Sequence, residues 1–182
     1  MLILNINRLN ILNLCIFSLL ISLSFAVQAK DSHYLLGAGD KIKIHVYGQE
    51  DLSLVAAIDD DGTIVYPFIG EIHVRDMTVS QLEQKITGFL KGDYLVNPNV
   101  HVSIDEYRPF YIQGEIKNPG GYPYQPGLTV RRAVSLGGGF TERAAKSKIY
   151  VTHPDSGGKK IKVKQHDKLK PGDVVTVEES FF

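Results

Sequence analysis

Three histidines, His45, His73 and His101, stand in separate stretches where apolar and polar residues alternate, each on the polar side. Were those sides to meet, three imidazoles would suit zinc, which takes nitrogen ligands in a tetrahedral set. Zinc sites usually carry a tight ligand pair, and none is present, so three solvated strand residues is the preferred reading. The run "LGGGF" at 136–140 is rich enough in glycine to suggest a phosphate cradle. Such a cradle needs Gly-Lys-Ser/Thr behind its glycines, or a strand before them and a helix after. Here the glycines follow a helical pattern, and a helix stop is the simpler use. Asp59, Asp60 and Asp61 are contiguous rather than spaced like a calcium loop, and they read as turn residues. A hydrolase would need a carboxylate pair or a Ser/His/Asp set, and no motif links the residues available. No catalytic, cofactor-binding or metal-ligating residue is assigned, and no enzyme is expected.

What remains is chemistry of contact. Lys160, Lys162 and Lys164 alternate with Ile161 and Val163, so one side of that strand is basic, with Lys159, Lys168 and Lys170 nearby. An acidic glycan or acidic partner would suit it. Lysines that guard a sheet edge against pairing are the commoner use and the preferred one. Tyr107, Tyr111, Tyr122 and Tyr124 cluster around the stretch "PFYIQGEIKNPGGYPYQP". Tyrosine stacks on sugar rings, but it serves core and subunit interfaces equally well, and those come first. Tyr111, Tyr122, Tyr124, Lys160, Lys162 and Lys164 are thus the candidate glycan or partner contacts.

The elements that hold these residues begin after a leader. Arg8 precedes the apolar run Ile11–Phe25, and "AVQA" places small residues at Val27 and Ala29 before the polar Lys30 and Asp31. That is the order of a secretory signal peptide over residues 1–29, with an apolar core short for a membrane span of about 20 residues. Cys15, the single cysteine, lies inside that core behind Leu14, where a lipobox wants a small residue. The exported chain would hold no thiol and no disulfide. Removing the leader takes away one arginine and no acid. The chain stays near neutrality, which argues against nucleic acid.

Along residues 30–182, Ile42, Ile44 and Val46 alternate with Lys43, His45 and Tyr47 as in a half-buried strand. "DDDG" at 59–62 predicts a hairpin turn between "LVAAI" and "TIVYPFIG", and Ile72 and Val74 mark a further strand. The period then changes. Val79, Leu82, Ile86, Phe89 and Leu90 fall on one helical face, with Thr78 and Gln81 spaced as a capping box and Gly92 as the stop. Val100, Val102 and Ile104 give another strand. Arg108–Pro109 marks a boundary between a unit at 30–107 and one at 108–182. The second unit predicts a strand at "FYIQGEI", a turn at "KNPGG", a short helix at "LTVRRAVSL" capped by Thr129, strands at Lys148–Thr152 and Lys159–Lys164, and a closing strand. The class is α+β, and the second unit is β-grasp-like. "LGAGDKIKIHV" near the start echoes "LKPGDVVTVEE" near the end, each with Gly-Asp before an alternating strand. The echo spans too few residues to establish duplication.

Taken in order, these motifs resemble the outer-membrane polysaccharide export family. Gly37, Gly39 and Asp40; Asp61 and Gly62; Pro67 and Gly70; Thr78; and Pro98, Val100 and Val102 match the pattern of its export domain, with departures at Ala38 and Met77. Gly114 and Glu115, Pro119 and Gly120, and Gly138 and Gly139 resemble the soluble-ligand-binding β-grasp (SLBB) domain that follows it. The resemblance implies a periplasmic scaffold of a Gram-negative envelope, associated with the outer-membrane export complex. It implies a ring-like homo-oligomer that takes capsule or exopolysaccharide from an inner-membrane co-polymerase. Larger members carry a lipidated cysteine and a C-terminal membrane helix. Neither fits this sequence, so a short soluble member working with a separate outer-membrane protein is expected. Phe181 and Phe182 resemble a barrel's terminal aromatic signal or a docking end. The alternatives are a periplasmic glycan- or small-ligand-binding module without a translocation role and, far behind, a glycan hydrolase.

Overall fold

The computed structural model describes residues 34–180. The leader, with Cys15 in it, and the Phe181–Phe182 end lie outside the described residues.

In the first lobe, β1 (Lys41–Val46) is the middle strand of a three-stranded antiparallel sheet. It lies between β2 (Leu54–Ala57) and β5 (Val100–Glu106). Ile42, Ile44 and Val46 lose all solvent contact, while Lys41 and Lys43 stay exposed. Burying each such side chain is worth about 1.5–3 kcal/mol, which fixes the register, because a one-residue slip would put all three in water. Helix α1 (Val79–Leu90) lays Leu82, Ile86 and Leu90 against the same core. Its start is a complete capping box. Thr78 Oγ1 accepts from the Gln81 amide at 3.2 Å, and Gln81 Oε1 accepts from the Thr78 amide at 2.8 Å. Phe89 departs from the expected buried face and is 46% exposed, because the core-facing row is completed by Leu90 instead.

The turn at 59–62 forms but does not close a hairpin. β2 pairs with β1, whereas β3 (Thr63–Tyr66) pairs with β4 (Gly70–His73) in a separate two-stranded sheet. Asp59 explains the corner. Its carboxylate accepts from both the amide and the hydroxyl of Thr63 at 2.7 Å, and the Gly62 carbonyl accepts from Val74 and Arg75. The turn is therefore tied to the end of β4 and not to β2. The hairpin tip lies one strand later, at Pro67–Ile69, where Phe68 takes a positive φ of 64°.

In the second lobe, a five-stranded sheet runs in the order β7 (Gly120–Tyr122), β6 (Phe110–Gly114), β10 (Val174–Glu179), β8 (Ala144–Thr152), β9 (Lys160–Val163). The lobe's first and last strands, β6 and β10, are parallel neighbours at its centre, and the other pairings are antiparallel. Helix α2 (Val130–Leu136) sits on one face through Val130, Ala133 and Val134, which pack on Phe110, Ile112, Ile149, Val151, Val175 and Val177. Thr129 caps it, and the glycines at 137–139 end it. Their carbonyls then accept from Lys117 and Asn118, which braces the Pro-Gly-Gly turn against the helix stop. Among the described residues, two α-helices with several small sheets make the fold α+β. Among the described residues, no helix is long and apolar enough to cross a membrane.

Candidate functional site

The Gly-Asp echo has a structural meaning. Asp40 and Asp173, each at 0% exposure, are the buried charged side chains among the described residues. Each ends a tight turn and folds its carboxylate back onto the amide three residues earlier. Gly37 donates to Asp40 Oδ2 at 3.0 Å, and Lys170 donates to Asp173 Oδ2 at 2.8 Å. The glycine before each aspartate has nearly the same positive φ, 87° at Gly39 and 82° at Gly172. The second carboxylate oxygen then does different work in the two turns. Asp40 Oδ1 accepts from the Arg108 amide at 2.8 Å, and Tyr34 Oη reaches both Asp40 oxygens at 2.7 Å. Asp173 Oδ1 meets His153 Nδ1.

These two turns flank the joint between the lobes. Tyr111 donates its amide to the Asp173 carbonyl at 2.8 Å, and Gly172 donates to the Pro109 carbonyl at 3.1 Å. Arg108 lies against Gly37, Gly39 and Gly172, with its guanidinium 5.9 Å from the Tyr34 ring centre and its buried Nε without a hydrogen-bond partner among the described residues. Tyr107 sits edge-on to Tyr34 at 5.1 Å and to Tyr124 at 5.5 Å, carrying an aromatic chain across the joint. Burial raises the pKa of all three phenols. For Tyr34 the Asp40 hydrogen bond adds to it, and for Tyr107 the Asp40 charge does. Beside the joint opens a cleft of about 540 Å³, lined by Arg75, Arg108 and Tyr111 together with Asp60, Asp76 and Asp155.

The candidate contacts separate. Tyr122 turns toward the core, its ring stacked on Phe110 at 5.9 Å and its hydroxyl donating to the Asn118 carbonyl. Tyr124 packs against the same core and donates to the Leu169 carbonyl at 3.1 Å. Tyr111 stands on the sheet face away from helix α2 and is 48% exposed, its ring over Gly121. Lys160 and Lys162 lie on that same face at the β9 edge, three strands away. Two rows of register partners connect them. One reads Gly121, Tyr111, Val174, Thr152, Lys160; the other reads Gln113, Thr176, Tyr150, Lys162. Lys164 follows β9 and lines a shallow hollow of about 440 Å³ with Lys146 and Lys162. Sequence reasoning missed Tyr150, Thr152 and Thr176. Their alternation was legible, but their neighbours were not.

Of the remaining motif residues, Asp61 and Gly62 make the corner before β3, Pro67 and Gly70 bracket the hairpin tip, and Pro98 precedes β5. Gly114 ends β6, and Glu115 accepts from the Thr141 hydroxyl at 2.5 Å. Pro119 and Gly120 form the turn into β7. Gly138 and Gly139 end α2. The histidines do not gather. His45 and His101 are register partners on β1 and β5, while His73 is on β4 in another sheet. Among the described residues, no three histidine, cysteine or acidic side chains converge as metal ligands.

Comparison with known proteins matches residues 28–105 to the family described as polysaccharide biosynthesis/export protein, and residues 109–164 to the SLBB domain. The exopolysaccharide production protein ExoF of Rhizobium meliloti (strain 1021) is 33% identical over 129 residues, which are 64% of this chain and 31% of that protein. The polysialic acid transport protein KpsD of Escherichia coli is 32% identical over 91 residues, 49% of this chain and 16% of that protein. The chain therefore spans less than a third of the length of the curated relatives it matches.

Proposed function

The chain belongs to the polysaccharide biosynthesis/export family, with an SLBB domain behind its export domain, and from that premise we propose that it is a component of the envelope machinery that carries a polysaccharide out of the cell. The observation that carries this reading is the pair of matched domains in order, over residues 28–105 and 109–164. The relatives' names point the same way, one to exopolysaccharide production and one to polysialic acid transport.

In this reading the protein works in the periplasm as a building block. Copies of it form a ring-like homo-oligomer, since repeated head-to-tail contacts close into a ring when the rotation permits. An inner-membrane co-polymerase hands over the polymer, and a separate outer-membrane protein completes the passage. No bond in the polymer is made or broken by this chain. A moving polymer needs weak, wet contacts, because well-ordered water bridges polar groups at little cost while tight binding would stall it. The open sheet face, with exposed lysines and half-buried hydroxyls, is of that kind. The same face supports the second reading, a glycan-binding module that takes no part in translocation.

Deleting the coding sequence separates the two. Export predicts that the polymer is still synthesised but is lost from the cell surface and medium, with material retained inside. Normal surface polymer in the deletion strain would refute export and leave the binding module.

A further inference from the structure

We infer that the open face of the five-stranded sheet is a binding surface for a carboxylate-bearing glycan, with Tyr150 as the sugar platform and Lys160 and Lys162 as the cations that meet its acid groups. The inference rests on the export reading for its biological setting, but its geometry stands apart. Tyr150 is the direct register partner of Lys162 on one side and of Thr176 on the other. Adjacent strands lie about 4.8 Å apart, so the backbone positions that carry the aromatic ring and the ammonium group sit one strand spacing from each other. Gln113 donates to Thr176 Oγ1 at 3.1 Å, so the hydroxyl row beyond Tyr150 is held in place. Tyr111 stands in the neighbouring row, its ring over Gly121 at that row's end.

That sequence of groups suits a sugar acid better than the alternatives. A pyranose presents an apolar ring face to an aromatic side chain and hydroxyls to Thr and Gln. Its carboxylate takes charge-assisted hydrogen bonds from lysine. A neutral glycan would gain no charge-assisted hydrogen bond from the β9 edge, and a bare polyanion no ring-face contact from Tyr150. Lysines that merely protect an edge strand need charge but no alignment with an aromatic. Glu178 lies where the β10–β8 register shifts, past the Thr176–Tyr150 row. The interlobe cleft carries both signs of charge and is not part of the site.

The test is titration of the purified protein, followed by NMR or calorimetry, with three probes: hexagalacturonate, maltohexaose of equal length, and polyglutamate. Hexagalacturonate should bind weakly and lose affinity as salt is raised, since exposed charges are screened beyond about 10 Å at 0.1 M. Maltohexaose should bind at least about tenfold more weakly, a difference of about 1.4 kcal/mol. The double variant K160Q/K162Q, altered only at exposed positions, should lose about tenfold for hexagalacturonate. Tyr150→Leu, which keeps an apolar side chain at the half-buried site, should weaken hexagalacturonate and leave polyglutamate unchanged. Equal binding of the neutral and acidic sugars overturns the acid requirement. Equal loss of polyglutamate and hexagalacturonate in Tyr150→Leu overturns the sugar platform. Unchanged affinity in K160Q/K162Q, with or without aggregation, reduces the lysines to edge protection. If K160Q/K162Q neither binds less nor exports less while deletion abolishes export, this site fails and the export reading stands. If binding follows the prediction but deletion leaves surface polymer intact, the export reading fails and the site stands.

Discussion

Removing the Asp40 carboxylate should weaken the fold more than any single surface change, and the structure says by how much. Asp40 is fully buried and accepts from the Gly37 amide, the Arg108 amide and Tyr34 Oη, with both oxygens engaged. In Asp40→Ala, three donors lose their acceptor. At about 1–3 kcal/mol for each orphaned donor, and with water reaching the half-buried ones, the loss is about 3–6 kcal/mol. That is a large share of the roughly 5–15 kcal/mol that holds a domain together. Asp40→Asn is the sharper probe. It keeps the shape but offers one oxygen where two backbone amides approach from opposite sides, so one amide must face an NH₂ group. The expected loss is about 1–3 kcal/mol. Urea unfolding followed by circular dichroism measures both, with Asp61→Asn in the exposed corner turn as the control. Because the Gly37 and Tyr34 bonds lie within the first lobe while the Arg108 bond crosses the joint, the loss should fall mainly on the first lobe, and transitions of the two lobes should move apart. Variants of Asp40 that unfold within about 0.5 kcal/mol of the native protein, as surface changes do, would refute the account of the joint.

The phenols at the joint give a pH dependence. Tyr34, Tyr107 and Tyr124, and with them Tyr66 in the core of the first lobe, all have pKa values raised above the ordinary 10.0, with burial the leading cause, so the fold binds protons that the unfolded chain would release. The stability they contribute is complete below about pH 10 and drains away as pH climbs through the raised values. Urea midpoints should fall across that alkaline range, and Tyr34→Phe should fall less steeply. Gly114 has a φ of +86°, and a Cβ there would sit 2.1 Å from the Val177 carbonyl oxygen. Gly114→Ala must therefore part the β6–β10 pair, and amide exchange in those two strands should accelerate while β1 stays protected. Thr78→Ala removes half of the capping box and should cost about 1 kcal/mol by chemical denaturation.

Local patterns were readable wherever short-range physics decides them. The alternation at 41–46, the Thr78–Gln81 spacing and the glycines after α2 each specify a conformation by themselves, and each is found. The Gly-Asp echo was visible too, but not its reason, since nothing in either stretch says that the carboxylate is buried or that Arg108 will lie between the two turns. Pairing was where legibility ended. Asp59–Gly62 has the composition of a hairpin turn, yet the partner of β2 is β1, chosen by core packing between distant residues. The same limit hid the site. Tyr111, Tyr122 and Tyr124 are neighbours in sequence but divide between the open face and the core, according to strand parity and to what lies beneath. Tyr150 and Lys162 are 12 positions apart and become cross-strand partners only because β8 and β9 fold back through Gly157, which adopts the left-handed conformation.

What matters most is whether polymer travels along this protein in a living envelope. A photo-crosslinking amino acid placed at position 162 in the complete protein, illuminated during active synthesis, reads that directly. The same probe at position 136, exposed on helix α2 on the opposite side of the sheet, is the comparison. Covalent polysaccharide on the protein from position 162 and little from position 136 is the predicted result. Labelling at neither position, or equally at both, would contradict it.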